Sequence, residues 1–203
     1  TGHFSSPAQV DIAAGVLERV RAANRDGAYA DRPVVVVDPI MGDEPKGLYV
    51  KPEVAEVIAA RLVPQADWIT PNLWELGHLT GRTVTDAAGA RDAARALGRP
   101  ALVTSVPAGE GEIGLLYVTA DEAVLFAHKR LERAPNGTGD LVAASFGAGL
   151  VEGLAPLAAA ERAARAAAET VQATMEWKAP ELPIVALADR LVSPRAAVRT
   201  QRL

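Results

Sequence analysis

The order of apolar and polar positions divides this chain into short segments with two different periods. From Pro7 to Asn24, Val10, Ala14, Leu17 and Val20 recur at helical spacing, and Ser6-Pro7 supplies an N-cap followed by proline at the first helical position. A helix is predicted there. The run Val34-Val35-Val36-Val37 is β-branched and unbroken, as in a strand buried on both faces of a parallel sheet, and it ends at Asp38. Residues 39–50, "PIMGDEPKGLYV", have loop chemistry; Pro52 then opens a helix to about Leu62, with Val54, Val57, Ile58 and Leu62 on one side. "ADWIT" predicts a short strand and "PNLWELGHLTG" a short helix closed by Gly81. Residues 85–98 predict a helix capped by Thr85 or Asp86 and stopped by Gly98, and "ALVTSV" at 101–106 a third strand. "IGLLYVT" and "AVLFAHK" flank "ADE" as an antiparallel hairpin. Helices after Gly137 and from Pro156 to about Trp177 complete the pattern, and the tail from 180 onward has no strong period.

Strands alternating with helices give an α/β domain: a mostly parallel central sheet covered by helices on both faces, plus a small antiparallel hairpin. At 203 residues one domain spanning 1–203 is expected. Hydrophobic residues at 49% and charged residues at 23% are ordinary globular values, while aromatics at 4% leave the core to Ala, Val and Leu. The net charge of -4 gives no electrostatic basis for gripping nucleic acid or an anionic membrane, and no run of about 18 apolar residues suggests a membrane span. The absence of cysteine excludes disulfides, thiolate metal sites and thiol nucleophiles, and is compatible with a reducing cytosol. "TGHFSSPAQ" lacks an initiator Met and the regions of a signal peptide, so a longer reading frame or processing is expected upstream.

In open α/β sheets, ligands bind beyond the carboxyl ends of the strands. Here those ends carry Asp38, Asn72 and Glu75, Thr104 and Ser105, and the turn "NGTGD". A helix N-terminus presents unpaired N–H groups and partial positive charge, and Gly137 and Gly139 remove side chains that would block close approach of an anion. Gly147 and Gly149 suit close packing of the same helix on the sheet. The "GK[ST]" ending of a Walker A loop is absent. An anion hole alone leaves Asp140 unexplained, because a carboxylate there repels phosphate. Its place makes sense if it takes a proton from a hydroxyl attacking that phosphate, general base help worth about 10²- to 10⁴-fold. An early-turn acid favoured by the helix dipole is the plainer alternative. Asn72 and Glu75, three apart on one helical face, can share a hydrated magnesium ion, which needs few protein ligands when nucleotide phosphates supply the rest. Alternatively Asn72 is an N-cap, Glu75 a capping-box or surface acid, and Asp38 a turn residue before Pro39.

Together these segments resemble the ribokinase superfamily, and specifically pyridoxal kinases: "VVVVDPIMGD", "GLYV", "ADWITPNLWELGHLTGR", "NGTGDLVAASFGAGLVEG" and "ELPIVALADRLVSP" stand in that family's order. The resemblance spans nearly the whole chain. Related hydroxymethylpyrimidine kinases usually carry cysteine where this chain has Asp140. The resemblance implies that Asp140 deprotonates the 5′-hydroxyl of pyridoxal, with Gly137, Thr138 and Gly139 as anion hole and ATP as donor. Asp38 and Glu75 would serve Mg²⁺ and the nucleotide phosphates, with Asn72 alongside, Thr104 touching phosphate and Lys46 on a flap near the phosphates. It further implies a monovalent cation, a homodimer, a cytoplasmic setting, and a substrate-contacting segment preceding the part that matches Thr1. His3 would take the place of an aromatic that packs on the pyridine ring. Solvated loop residues are the alternatives for Lys46 and His3; Trp74 is expected to pack, and His78 and His128 to be structural. A nucleotide-dependent dehydratase that repairs hydrated nicotinamide cofactors shares the fold and a similar "GTGD" helix, but usually shows "TPHxGE" where this chain has Thr70-Pro71-Asn72-Leu73-Trp74-Glu75.

Overall fold

A computed structural model describes residues 1–23, 29, 32–131 and 136–203. Asn24, the expected end of the first helix, most of the loop after it and Pro135 lie outside the described residues. Helix α1 (Pro7–Ala23) opens with Ser6 Oγ accepting from Gln9 N at 3.4 Å, the N-cap bond its sequence predicts. Strand β1 (Val36–Val37) follows, then β2 (Gly42–Asp43) and β3 (Gly47–Leu48), a tiny antiparallel pair built from the segment expected to be loop. Helix α2 (Pro52–Val57) continues through one π turn (Ile58–Leu62) and one 3-10 turn (Val63–Gln65). Pro64 has no N–H to donate, so the regular helix cannot continue through it.

Next come β4 (Trp68–Ile69), α3 (Leu73–Thr80), α4 (Ala87–Ala96), β5 (Ala101–Gly109), β6 (Glu112–Val118) and β7 (Ala123–Lys129). Gly81 ends α3 in the left-handed region at φ 64°, and Asp86 caps α4 by accepting from Gly89 N at 2.7 Å. The chain closes with α5 (Thr138–Val151), α6 (Pro156–Glu176), α7 (Ala188–Val192) and β8 (Arg199–Arg202).

The main sheet has the order β1-β4-β5-β6-β7-β8. Its first half is parallel, with Val36 opposite Trp68, Val37 opposite Ile69, and Ile69 opposite Ala101. Its second half is antiparallel throughout, so the sheet is mixed and the predicted hairpin is an integral part of it. The reason is loop length: Glu110 and Gly111 alone join β5 to β6, and so short a link can only reverse the chain. The aperiodic tail contains β8, whose four residues are all exposed, so no buried face imprinted a period of two.

Alternation within the strands feeds two separate apolar layers. Val103, Leu116 and Leu125 pack with Val10, Val54, Ile58, Leu76 and Ala93 from α1 to α4. Leu102, Tyr117, Val124 and Phe126 pack with Phe146 of α5 and Ala160, Ala163 and Ala167 of α6. Helices therefore cover both faces. Trp68 anchors the second layer edge-on to Phe146, ring centroids 4.9 Å apart. Gly147 faces Val36 of the sheet, with ordinary space for a Cβ, whereas Gly149 meets α6: a Cβ there would lie 2.9 Å from Ala159 Cβ. The expectation that both glycines serve the sheet holds for the first alone.

Candidate active site

The residues after β1 and β4, the register slip in the middle of β5 and the start of α5 lie near one another. Asp38 directly follows β1 and is buried, 6% exposed. Burial, then the charges of Glu75 and Asp140, push its carboxyl up to about 7, while the Thr70 hydroxyl favours its charged form. Glu75, also buried, is pushed up to about 7 by desolvation against the pull of three backbone N–H groups. Tyr49, half exposed just after β3, is pushed up to about 12 by partial burial and by the charges of Glu75, Asp43, Asp38 and Asp140. Three of the predicted acids thus act on one another across a small region.

Asn72 and Glu75 form a capping box at the head of α3: Asn72 Oδ1 accepts from Glu75 N at 2.8 Å, and Glu75 Oε2 accepts from Asn72 N at 2.9 Å. Glu75 Oε1 also accepts from Met41 N at 2.9 Å, and Asn72 Nδ2 donates to Gly42 O at 2.8 Å. Both side chains therefore tie the start of α3 to the stretch after Asp38. Among the described residues no three His, Cys, Asp or Glu side chains stand close enough to hold a metal ion unaided. The donor set still fits magnesium, because two buried carboxylates that resist ionisation together are relieved by a hard cation that takes its other ligands from water and phosphate.

Helix α5 starts at Gly137, at φ 91°, a conformation that side-chain-bearing residues rarely adopt. Gly137, at the N-cap, has no side chain to give, and the space beside Gly139 is open. Asp140 stands exposed in that first turn. Thr138, Gly139, Asn72 and Thr104 all line one cleft of about 940 Å³. Thr104 N donates to Pro71 O at 2.9 Å, and the register of β5 on β6 slips by one residue between Val103 and Val106. The slip leaves Ser105 at φ 61° on the cleft wall, a strained placement for a residue other than glycine. Val142 of α5 and Ala164, Ala167 and Val171 of α6 supply an apolar side to the cleft.

Asp38, Glu75, Asp140, His3 and Lys46 do not line this cleft. Lys46 is exposed in the turn between β2 and β3, and His3 is exposed ahead of α1. His78 and His128, expected to be merely structural, are both cleft residues, and His78 stacks on Trp74. Arg82 and Arg130 line it as well. Nothing in the spacing of these four basic residues brings them together; the hairpin β6–β7 and the turn after α3 do so only in three dimensions.

A family model described as phosphomethylpyrimidine kinase matches residues 13–184. The chain is 37% identical to a pyridoxine/pyridoxal/pyridoxamine kinase of Bordetella avium, the match covering 89% of this chain and 62% of that protein. It is 32% identical to a pyridoxal kinase of Leifsonia xyli, covering all of this chain and 72% of the relative. The chain therefore spans roughly two thirds of the length of these curated relatives. Among solved structures, the Leishmania donovani pyridoxal kinase in complex with ADP and pyridoxamine superposes with a TM-score of 0.87 at 26% identity, covering 100% of this chain and 73% of that one. The Entamoeba histolytica pyridoxal kinase gives 0.83 at 25%, covering 100% and 71%. With its glycine turn, its acids following the first strands and these relatives, the chain belongs to the phosphomethylpyrimidine kinase family, within its pyridoxal kinase group.

Proposed function

We propose that this protein transfers the γ-phosphoryl group of ATP to the 5′-hydroxyl of pyridoxal, forming pyridoxal 5′-phosphate and ADP. The observation that carries this is Asp140 in the first turn of a helix whose N-cap is Gly137 and whose second residue, Gly139, has open space beside it. Backbone amides at that start would hold the migrating phosphoryl group, and electrostatic support of this kind is worth about 3 to 4 kcal/mol. Asp140 takes the hydroxyl proton as the 5′-oxygen bonds to phosphorus and the bond to the ADP oxygen breaks. Base assistance contributes about 3 to 5 kcal/mol more. Thr104, Thr138 and the apolar wall of α6 suit the nucleotide in the 940 Å³ cleft. Asp38 and Glu75 would hold magnesium, which when bound offsets charge on the phosphates.

The relatives' names and the ADP and pyridoxamine in the Leishmania complex support a vitamin B6 acceptor over the dehydratase alternative. With the family resemblance go His3 beside the acceptor, Lys46 near the phosphates, a monovalent cation, a homodimer and a cytoplasmic location. No helix among the described residues is long and apolar enough to cross a membrane. The test is direct: purified protein with pyridoxal, ATP and magnesium should form pyridoxal 5′-phosphate, followed by its absorbance. Binding of ATP with no phosphorylation of pyridoxal, pyridoxine or pyridoxamine would remove the proposal.

A further inference from the structure

The first turn of α3 presents three side chains to one residue of the β2–β3 hairpin. Glu75 and Asn72 hold Gly42 by its backbone: Glu75 Oε1 accepts from Gly42 N at 3.4 Å and Asn72 Nδ2 donates to Gly42 O at 2.8 Å. Trp74 holds it by contact. The indole lies so near that a Cβ on Gly42 would stand 2.1 Å from Cζ3 and 2.7 Å from Cε3 and Cη2, far inside any real contact. The same ring comes within 4.0 Å of a Cβ position on Gly47, so it reaches both strands. His78 stacks on the indole, ring centroids 5.2 Å apart and planes 14° from parallel. Strands of two residues have too few ladder bonds to stand alone, so the hairpin depends on this outside support. Asp43 and Glu44, which line the cleft beside Trp74 and His78, ride on that hairpin, and Lys46 sits at its turn.

We infer that Trp74, backed by His78, is a positioning residue: it pins the 42–48 hairpin to α3 and so fixes one edge of the nucleotide cleft. The inference rests on the cleft being the nucleotide site. It makes Gly42 and Trp74 a size-matched pair, in which a larger residue at 42 requires a smaller one at 74. Removing the indole should loosen the hairpin while leaving the acceptor side and the core sheet intact.

The experiment combines ATP binding by calorimetry with amide hydrogen exchange. Trp74→Leu should weaken ATP binding by about tenfold, with the KM for ATP rising in step and the KM for pyridoxal changing by less than about threefold. Exchange across 42–48 should accelerate while β5 to β7 stay protected. Gly42→Ala alone should show the same loss, and Gly42→Ala in the Trp74→Leu background should add nothing, the non-additivity expected of two residues in contact. Trp74→Phe, which keeps an aromatic plate on the hairpin, should retain most of the affinity and serves if the leucine variant fails to fold. Equal ATP affinity and equal exchange at 42–48 in wild type and variant, or additive effects of the two substitutions, would overturn the inference. If the wild type bound no ATP, the nucleotide assignment would fall, while exchange and additivity would still decide whether Trp74 pins the hairpin.

Discussion

Replacing Asp38 by Asn removes a buried negative charge while nearly preserving shape, and its effect on stability should depend on pH in a calculable way. In the folded protein the carboxyl is raised from 3.8 to about 7, first by burial and then by the charges of Glu75 and Asp140. At about 1.4 kcal/mol per pH unit this corresponds to about 4 kcal/mol. A raised carboxyl binds its proton more tightly folded than unfolded, so its contribution is fully present below about pH 4, declines as pH rises toward 7, and is gone above that. The Asn variant lacks this decline. It should be more stable than wild type by up to about 4 kcal/mol at pH 8 and by about 2 kcal/mol at pH 5.5, with the residual slope contributed by Glu75. Urea unfolding at the two pH values, without divalent cations, measures both quantities. Adding magnesium at pH 8 should close part of the gap by stabilising wild type more than the variant. Parallel pH profiles for the two proteins would refute the electrostatic reasoning, and so would an Asn variant less stable than wild type at pH 8.

Other substitutions probe the frame around the site. Gly149→Ala places a Cβ 2.9 Å from Ala159 Cβ and should cost about 1 to 3 kcal/mol in thermal or urea unfolding, recovered in part by adding Ala159→Gly. Buried Glu169 accepts from Arg195 N at 2.6 Å and pairs with Arg190; Glu169→Ala should cost about 1 to 3 kcal/mol and speed amide exchange in β8. Gly137→Ala forces a side chain to φ 91° and should cost about 1 to 2 kcal/mol in stability as well as slowing turnover, read by unfolding and by steady-state rates.

Segments with one dominant local signal could be read from the chain directly. The capping bond of Ser6, the left-handed Gly81, the Asp86 cap and Pro156 at the head of α6 are all local devices, and each set a boundary within about two residues. Strand direction was legible where a helix intervened and in the β6–β7 hairpin; the antiparallel pairing of β5 with β6 and of β7 with β8 was not. β8 was invisible because its side chains are solvated and its support comes from backbone pairing with β7 and from the Arg199–Glu112 and Arg202–Glu122 pairs. At the site, Asp38 follows β1, Asn72 and Glu75 follow β4 and Asp140 opens α5, places that invite attention in sequence, whereas Thr104, expected near the end of a strand, lies inside β5, which runs on to Gly109. His78, Arg82, His128 and Arg130 invite no such attention, because only folding gathers them on the cleft. The capping box shows how one pair of side chains can look like a metal site in sequence while also serving as a structural tie.

The account's central claim is that Asp140 accepts the proton of the attacking alcohol at a helix start that grips phosphate. Asp140→Asn keeps the size and the position in the first turn of α5 but cannot take up that proton. Parallel measurement of pyridoxal phosphorylation and ATP binding on this variant separates the two halves of the claim. Turnover should fall by about 10² or more with ATP affinity unchanged or slightly improved; phosphorylation at the wild-type rate would contradict it.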